Sequence, residues 1–544
     1  MRVYVQRNRM TEWSLSSGVH YTDPFNDVRL DAVVVAPSGA ELRVPSFWAG
    51  DNTWRIRFSS PELGTHRWRT ECDQDDSGLG GREGVVEVTE YAGDNPLYAR
   101  GPVRASADGT HLEHVDGTPF FWLADTWWMG LARRLRWPED LQRLCADRTQ
   151  KGFSVVQIVA GLYPDMPAFD PRCENEAGQP WGPEFARVSP AYWDAADLRI
   201  QWLVDRGIVP AVVGCWGYYI EFAGEETLKK HWRYIIARWG ALPIVWCLCG
   251  EAMMPYYLSE YWGRWADYAA EYGPAWARIG RFVRETDPFH RAVCIHPTGD
   301  HGGRDMTDDE LLDFEWLQTG HSDRHSFPGT VQLVREAVAR KPRKPVVNSE
   351  VTYEGILGAN GADVQRLMFW ACMLSGACGH TYGANGIWQM STASEPYGPS
   401  PHGSSWGETL WEEAYRLPGS AQLALGKRLL ERFRWWEFEP HPEWATPHST
   451  EETPNAPFAA GIPGKVRVVY IPLFSGLQAV EGLEPGARYV AYYFNPKDGY
   501  DRPIGPLEPD ASGRWTPPPP PVFLDWVLVL EAPGARPGES TRAD

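Results

Sequence analysis

Apolar positions fall into three regimes along the chain. Up to about residue 93 they alternate with polar ones in short runs. Over 53–58, Trp54, Ile56 and Phe58 face one way and Arg55 and Arg57 the other, the period-two pattern of a half-buried strand. Similar runs at 28–35, 66–70 and 84–89 are separated by a Pro37-Ser38-Gly39 turn and a Gly/Asp-rich loop over 73–81. Short strands at this spacing predict a small β-sandwich. The alternation further predicts Trp54, Ile56 and Phe58 buried, with Arg55 and Arg57 exposed.

From residue 120 the pattern changes. Continuous apolar runs at 120–125, 153–160, 208–215, 243–251, 292–296, 314–319, 345–350 and 380–388 read as buried strands. Amphipathic stretches at 191–206, 227–239, 260–286, 331–340 and 362–375 read as helices. Near-regular βα alternation predicts a parallel sheet closed as a (β/α)8 TIM barrel, entered through a hairpin turn at Asp116-Gly117. Past residue 433 strands return at 466–471, 487–494 and 523–530, predicting a second sandwich. Pro517 to Pro521 offer no amide donors and belong outside a ladder or on its edge. The small, polar tail from 534 is predicted to be disordered. The chain thus divides into an N-terminal sandwich over 1–95, a barrel over 96–435 and a C-terminal sandwich with its tail over 436–544.

Two of the strands end alike. One runs Ile244-Val-Trp-Cys-Leu-Cys-Gly into Glu251, the other Val346-Val-Asn-Ser into Glu350. Three βα units of about 30 residues or a little more fit between them, which places Glu251 on strand 4 and Glu350 on strand 7. Active sites of such barrels lie at the C-terminal strand ends, so both carboxylates should face one pocket. Paired carboxylates there point to glycoside hydrolysis, retaining at about 5–5.5 Å separation and inverting beyond about 6.5 Å.

Other strand ends supply candidate sugar contacts. Asp125 closes the first strand, where it either caps the next helix or binds a hydroxyl. Trp127 and Trp128 offer a stacking platform or core packing. His380, Tyr382, Asn385 and Trp388, on or just after the last strand, combine donors with an aromatic ring, as a sugar subsite needs, though each also suits packing. His321 follows the sixth strand, and Tyr353 is the local donor for Glu350, with Glu354 a structural acceptor.

Composition narrows the partners. Net charge is −19 with no Lys/Arg cluster, which disfavours nucleic acid and anionic membrane. No run of 18 apolar residues exists to span a bilayer. The 28 Trp lean towards carbohydrate faces or towards core packing. Nine cysteines form no regular framework and read as reduced core residues. Cys247, Cys249 and Glu251 share a strand face, but no neighbouring His or Cys completes a zinc set. No metal and no cofactor are expected: phosphate-loop, dinucleotide and GxSxG signatures are absent. The N-terminal stretch lacks the apolar segment of a signal peptide, so a cytoplasmic location is expected. Oligomeric state stays open.

Longer segments carry a resemblance: Asp116-Gly-Thr-Pro-Phe-Phe-Trp-Leu-Ala-Asp-Thr-Trp-Trp, Lys344-Pro-Val-Val-Asn-Ser-Glu-Val-Thr-Tyr-Glu-Gly and Gly379-His-Thr-Tyr-Gly-Ala-Asn-Gly-Ile-Trp-Gln. Tyr493-Phe-Asn-Pro-Lys-Asp-Gly and Asp525-Trp-Val-Leu-Val-Leu add to it. The chain resembles the apiosidase-like glycoside hydrolases, built of an N-terminal sandwich, a (β/α)8 barrel and a C-terminal sandwich that carries a collagen-binding label. The resemblance implies Glu251 as acid/base and Glu350 as nucleophile, and the expected activity is that of a retaining enzyme, exo-acting on a small oligosaccharide or glycan side chain. Many related barrels place Asn before the strand-4 glutamate, where this chain has Gly250. Two other classes compete: a non-catalytic carbohydrate-binding or scaffolding protein, and a barrel lyase or isomerase using one carboxylate as base, which usually needs a metal or cofactor.

Overall fold

Eight apolar runs form the strands of one parallel sheet in the structure, a computed structural model that describes residues 1–299, 301–305 and 308–538. They are β1 (Trp122–Thr126), β2 (Val155–Val159), β3 (Val209–Val213), β4 (Val245–Gly250), β5 (Val293–His296), β6 (Glu315–Gln318), β7 (Val346–Glu350) and β8 (Gly379–Tyr382). The hydrogen-bonded order β5-β4-β3-β2-β1-β8-β7-β6 wraps into a barrel whose one unpaired seam, among the described residues, lies between β5 and β6. There the short strand His301–Gly302 pairs antiparallel with β6 instead. Two register breaks, at Cys247/Gly250 in β4 and at Leu317/Gln318 in β6, fall at the barrel mouth. Such irregularities re-aim side chains.

Helices cover the outside, among them Glu139–Lys151, Pro190–Asp205, Trp265–Thr286, Phe327–Ala339, Ala362–Leu374 and Pro418–Leu430. The helix expected at 227 begins at Tyr219, across a break at Gly224 whose φ of 76° suits a residue without a side chain. The last strand stops at Tyr382 rather than at 388, so Asn385 and Trp388 sit on the turn beyond it.

The N-terminal region is a sandwich. Strands Arg2–Gln6, Glu83–Thr89, Gly64–Cys72, Leu30–Val35 and Glu41–Pro45 form one sheet, its first pair parallel. Thr11–Ser16, Thr53–Phe58 and Phe47–Trp48 form the other. Trp54, Ile56 and Phe58 are buried in the core between them. The expectation for Arg57 is corrected: only 6% of it is exposed. Alternation does turn it away from the sandwich core, but that face meets the barrel rather than water. Its guanidinium donates to Glu12 (2.8 Å), to the carboxylate of Asp197 and to the carbonyl of Arg238 (2.8 Å) on two barrel helices. Arg55 is half-buried at the same interface, near Glu12 and Asp194.

The C-terminal strands Glu439–Pro440, Phe458–Ile462, Val466–Ile471, Trp526–Glu531, Val490–Phe494 and Asp501–Pro506 make a six-stranded antiparallel sheet. A two-stranded sheet, Ala445–Thr446 with Ala479–Val480, packs over one face. The other face joins the barrel's core, where Arg366 grips Asp525 through two hydrogen bonds of 2.8 and 2.7 Å. The expected disorder from 534 fails at its start: Ala535 is buried and Arg536 pairs with Glu531 at 2.6 Å. The remainder, 539–544, lies outside the described residues. No helix among the described residues is long and apolar enough to cross a membrane.

Candidate active site

The apolar run of β7 buries its backbone and delivers Glu350 to the mouth, where it is 4% exposed. Its Oε1 accepts from the Gln318 amide (2.9 Å) and meets His321 Nε2 at 2.8 Å. Its Oε2 accepts from the Tyr353 hydroxyl and lies 3.6 Å from His296 Nε2. Burial alone would raise its pKa, but His321, with His296 and the Tyr353 hydroxyl, outweighs it and holds the carboxyl at about 2. His296 is itself pushed down to about 4 by burial, against the pull of Glu350.

Glu251 follows directly on β4, in the left-handed region with φ 49°. Its Oε1 accepts from Gln318 (3.1 Å) and its Oε2 from the Trp216 indole N–H (3.0 Å), both neutral donors. Burial, then the charge of Glu350, raises its pKa to about 7, with Gln318 and Trp216 pulling the other way. The preceding glycine has a local reason. A Cβ at Gly250 would sit 2.3 Å from the Trp216 ring, so the indole that serves Glu251 leaves no room for the asparagine of related barrels.

One amide therefore donates to both carboxylates. Their bridged oxygens, 3.1 and 2.9 Å from the same nitrogen, lie at most about 6 Å apart. Around them stands an aromatic wall. The Trp128 indole donates to Tyr353 (3.1 Å), and Tyr353 stacks on His321 at 4.8 Å and on Trp388 at 6.1 Å. Tyr353 lies flat on the backbone after β8 because Gly383 has no side chain: a Cβ there would fall 2.0 Å from the ring. The cavity measures about 220 Å³, with Tyr257, Trp262, His402 and Trp406 also lining it.

Of the sequence-predicted residues, Glu251, Glu350, Trp128, His321, Tyr353 and Trp388 line this one cavity. The structure does not bring Asp125, Trp127, His380, Tyr382 and Asn385 to it. Asp125 points to the helix layer, where it accepts from Arg148 (2.6 Å), Trp127 (2.7 Å) and the Thr126 backbone. Tyr382 lies on the same side, donating to Glu354 at 2.6 Å with Arg148 over its ring. Glu354 also accepts from the Gly419 backbone and so ties β7 to the helix Pro418–Leu430. His380 packs edge-on against Phe369 of an outer helix, and burial keeps it neutral with a pKa of about 3. Asn385 is buried beside Thr409. Strand pleat explains these misplacements: on β1 and β8, Trp122 and Thr381 point inward and bond each other, so their neighbours Asp125, His380 and Tyr382 fall on the other parity.

Sequence reasoning missed Gln318, Trp216 and His296, which stand against the two carboxylates, and Asp165, which lines the same cavity. Gln318 and His296 close β6 and β5 as Glu350 closes β7, and that was the available signal. Among the described residues no group of His, Cys, Asp or Glu could hold a metal ion.

Two buried carboxylates of opposite pKa direction, at the C-terminal mouth of a (β/α)8 barrel, define a glycoside hydrolase. The profile of the apiosidase-like catalytic domain matches residues 106–437, so the chain belongs to the apiosidase-like family. Residues 5–73 match a domain of unknown function, DUF5060. Among solved structures, a candidate glycoside hydrolase from Bacteroides vulgatus ATCC 8482 has a TM-score of 0.70 at 17% identity, over 97% of this chain and 100% of its own. A family 5 glycoside hydrolase from the same organism gives 0.65 at 22%, over 81% and 95%. A further structure, described only as a glycoside hydrolase, gives 0.64 at 20%, over 80% and 98%. At these identities the likeness is one of fold. No curated protein matches.

Proposed function

We propose that this glycoside hydrolase retains anomeric configuration and removes a terminal sugar from a small oligosaccharide or glycan side chain. Glu251 protonates the leaving oxygen while Glu350 attacks the anomeric carbon. Glu251 then takes a proton from water, which displaces Glu350 from the glycosyl-enzyme. The observation that carries the reading is the shared Gln318 amide. It holds one oxygen of each carboxylate within about 6 Å of the other, which supports the close pair of a retaining enzyme over the roughly 6.5–9.5 Å that leaves room for an inverting enzyme's water.

The pKa values fit the same roles. A group at about 7 can both give and take a proton near neutrality, and a group at about 2 is ionised for attack. Removal of a terminal unit is supported by the small volume, about 220 Å³, below the roughly 300–1,000 Å³ of drug-sized sites. The test is a screen of aryl pyranosides and furanosides, with the first-formed anomer of the released sugar identified by NMR. Retention is expected. An inverted first product would move the attack from Glu350 to water.

A further inference from the structure

A third carboxylate faces the cavity and takes no part in the two steps above. Asp165 stands in the loop after β2 and lines the same cavity as Glu251 and Glu350. It is 2% exposed, and neither of its oxygens has a hydrogen-bond partner. Buried carboxylates are normally paired or saturated, because an unpaired one forfeits its hydration for nothing. Among the described residues no ion pair compensates it. Arg172, the cation that acts on it, gives its guanidinium to Asp170 (2.8 Å) and to the Tyr397 carbonyl (3.2 Å). Burial raises its pKa and prevails over the donors of Ser400, Tyr257 and Trp406, which face it and favour its charged form without reaching the geometry of a full hydrogen bond. Its backbone lies in the left-handed region at φ 61°, as does that of Glu251 at 49° and of other non-glycine residues along the chain.

A ligand completes such a group if it brings two donors side by side. The ring that reacts must occupy the same small cavity as the two glutamates, so its hydroxyls are the donors within reach of Asp165. We infer that Asp165 is a specificity-determining substrate contact whose two oxygens accept a vicinal pair of hydroxyls on the sugar that fills the cavity. The inference rests on the glycosidase reading for the identity of that ligand. It makes the enzyme select by hydroxyl position. A site built to accept a hydroxyl leaves its own acceptor unpaired when that hydroxyl is missing, and so discriminates more sharply than an apolar wall.

The test uses the full chain, the aryl glycoside it hydrolyses fastest, and the monodeoxy analogues of that sugar. Asp165→Ala should lower kcat/KM for the parent sugar by about 100-fold or more, with Asp165→Asn in between, since an amide keeps one acceptor oxygen. In the wild type two adjacent deoxy positions should be costly. In Asp165→Ala the same two should add no further loss, while the remaining deoxy analogues behave as they do in the wild type. A kcat/KM within about threefold of wild type would overturn the inference, as would a loss that is the same for every deoxy analogue, the mark of a merely structural role. If the wild type hydrolyses no glycoside, the glycosidase reading fails by itself. The contact is then read from titration calorimetry with free monosaccharides: weaker binding to Asp165→Ala supports it, and equal affinity, or no binding to either protein, overturns it.

Discussion

Glu251 and Glu350 end two strands of one barrel and share a hydrogen-bond donor, yet their surroundings differ. At the mouth of β4 the carboxyl meets an indole and an amide, both neutral, and its pKa rises to about 7. At the mouth of β7 a second carboxyl has the same amide, and in addition His321, Tyr353 and His296, and its pKa falls to about 2. Burial pushes both upwards; the number and charge of the partners separates them. What separates the two carboxyls therefore comes from His296 and Gln318 at the ends of β5 and β6 and from Trp216, His321 and Tyr353 in the loops after β3, β6 and β7, not from the strands that carry the glutamates.

The widest break in that comparison is Glu350→Ala. It should lose about 10⁴-fold or more in kcat/KM on every substrate, because no leaving group replaces a missing nucleophile. Glu251→Ala should lose about 10²–10⁴-fold with natural leaving groups, while activated aryl glycosides still glycosylate the enzyme and show a burst. Added azide should restore its turnover and give a glycosyl azide of retained configuration. Azide rescue of Glu350→Ala with a retained product, and of Glu251→Ala with an inverted one, would exchange the two roles.

Finer changes should move the pH limbs separately. Activity needs Glu350 ionised and Glu251 protonated, so kcat/KM should rise through about pH 2 and fall through about pH 7. Tyr353→Phe removes a donor that lowers the Glu350 pKa, so the acidic limb should move up, with a loss of about 10- to 100-fold. Gln318→Ala removes a donor that lowers the Glu251 pKa, so the alkaline limb should move up by about one pH unit or less. A pH–rate profile measured at constant ionic strength checks both. An alkaline limb that moves down in Gln318→Ala would mean that the amide favours the protonated form of Glu251 instead.

The barrel and the two glutamates were legible because a buried parallel strand is a run of apolar residues, and a carboxylate closing such a run stands out. Tyr353 was legible through its proximity to Glu350 in sequence. Parity was not. Asp125, His380 and Tyr382 sit at strand ends as convincingly as Glu350, but the pleat turns them to the helix layer, where Asp125 meets Arg148 on a helix 23 positions away. Gln318 acts across β6 and β7 at a register break, which no local pattern announces. Trp216 needed knowledge that its ring covers Gly250. Arg57 shows the same limit at larger scale: alternation says which way a residue turns, not what waits on that side.

That arginine has a thermodynamic consequence. Arg57 of the sandwich and Arg238 of the barrel both donate to one carboxylate, Asp197, with the Arg57 side chain 6% and the Arg238 side chain 0% exposed. Stripping one member from a buried ionic cluster costs about 3–5 kcal/mol, since the others keep their burial and lose their compensation. Arg57→Ala would impose that penalty with the sandwich still covering Asp197, on the contact that joins the two units. The two units are thus coupled in unfolding: heat should melt them in a single cooperative transition, and a barrel produced without its sandwich should start with part of its stability already gone.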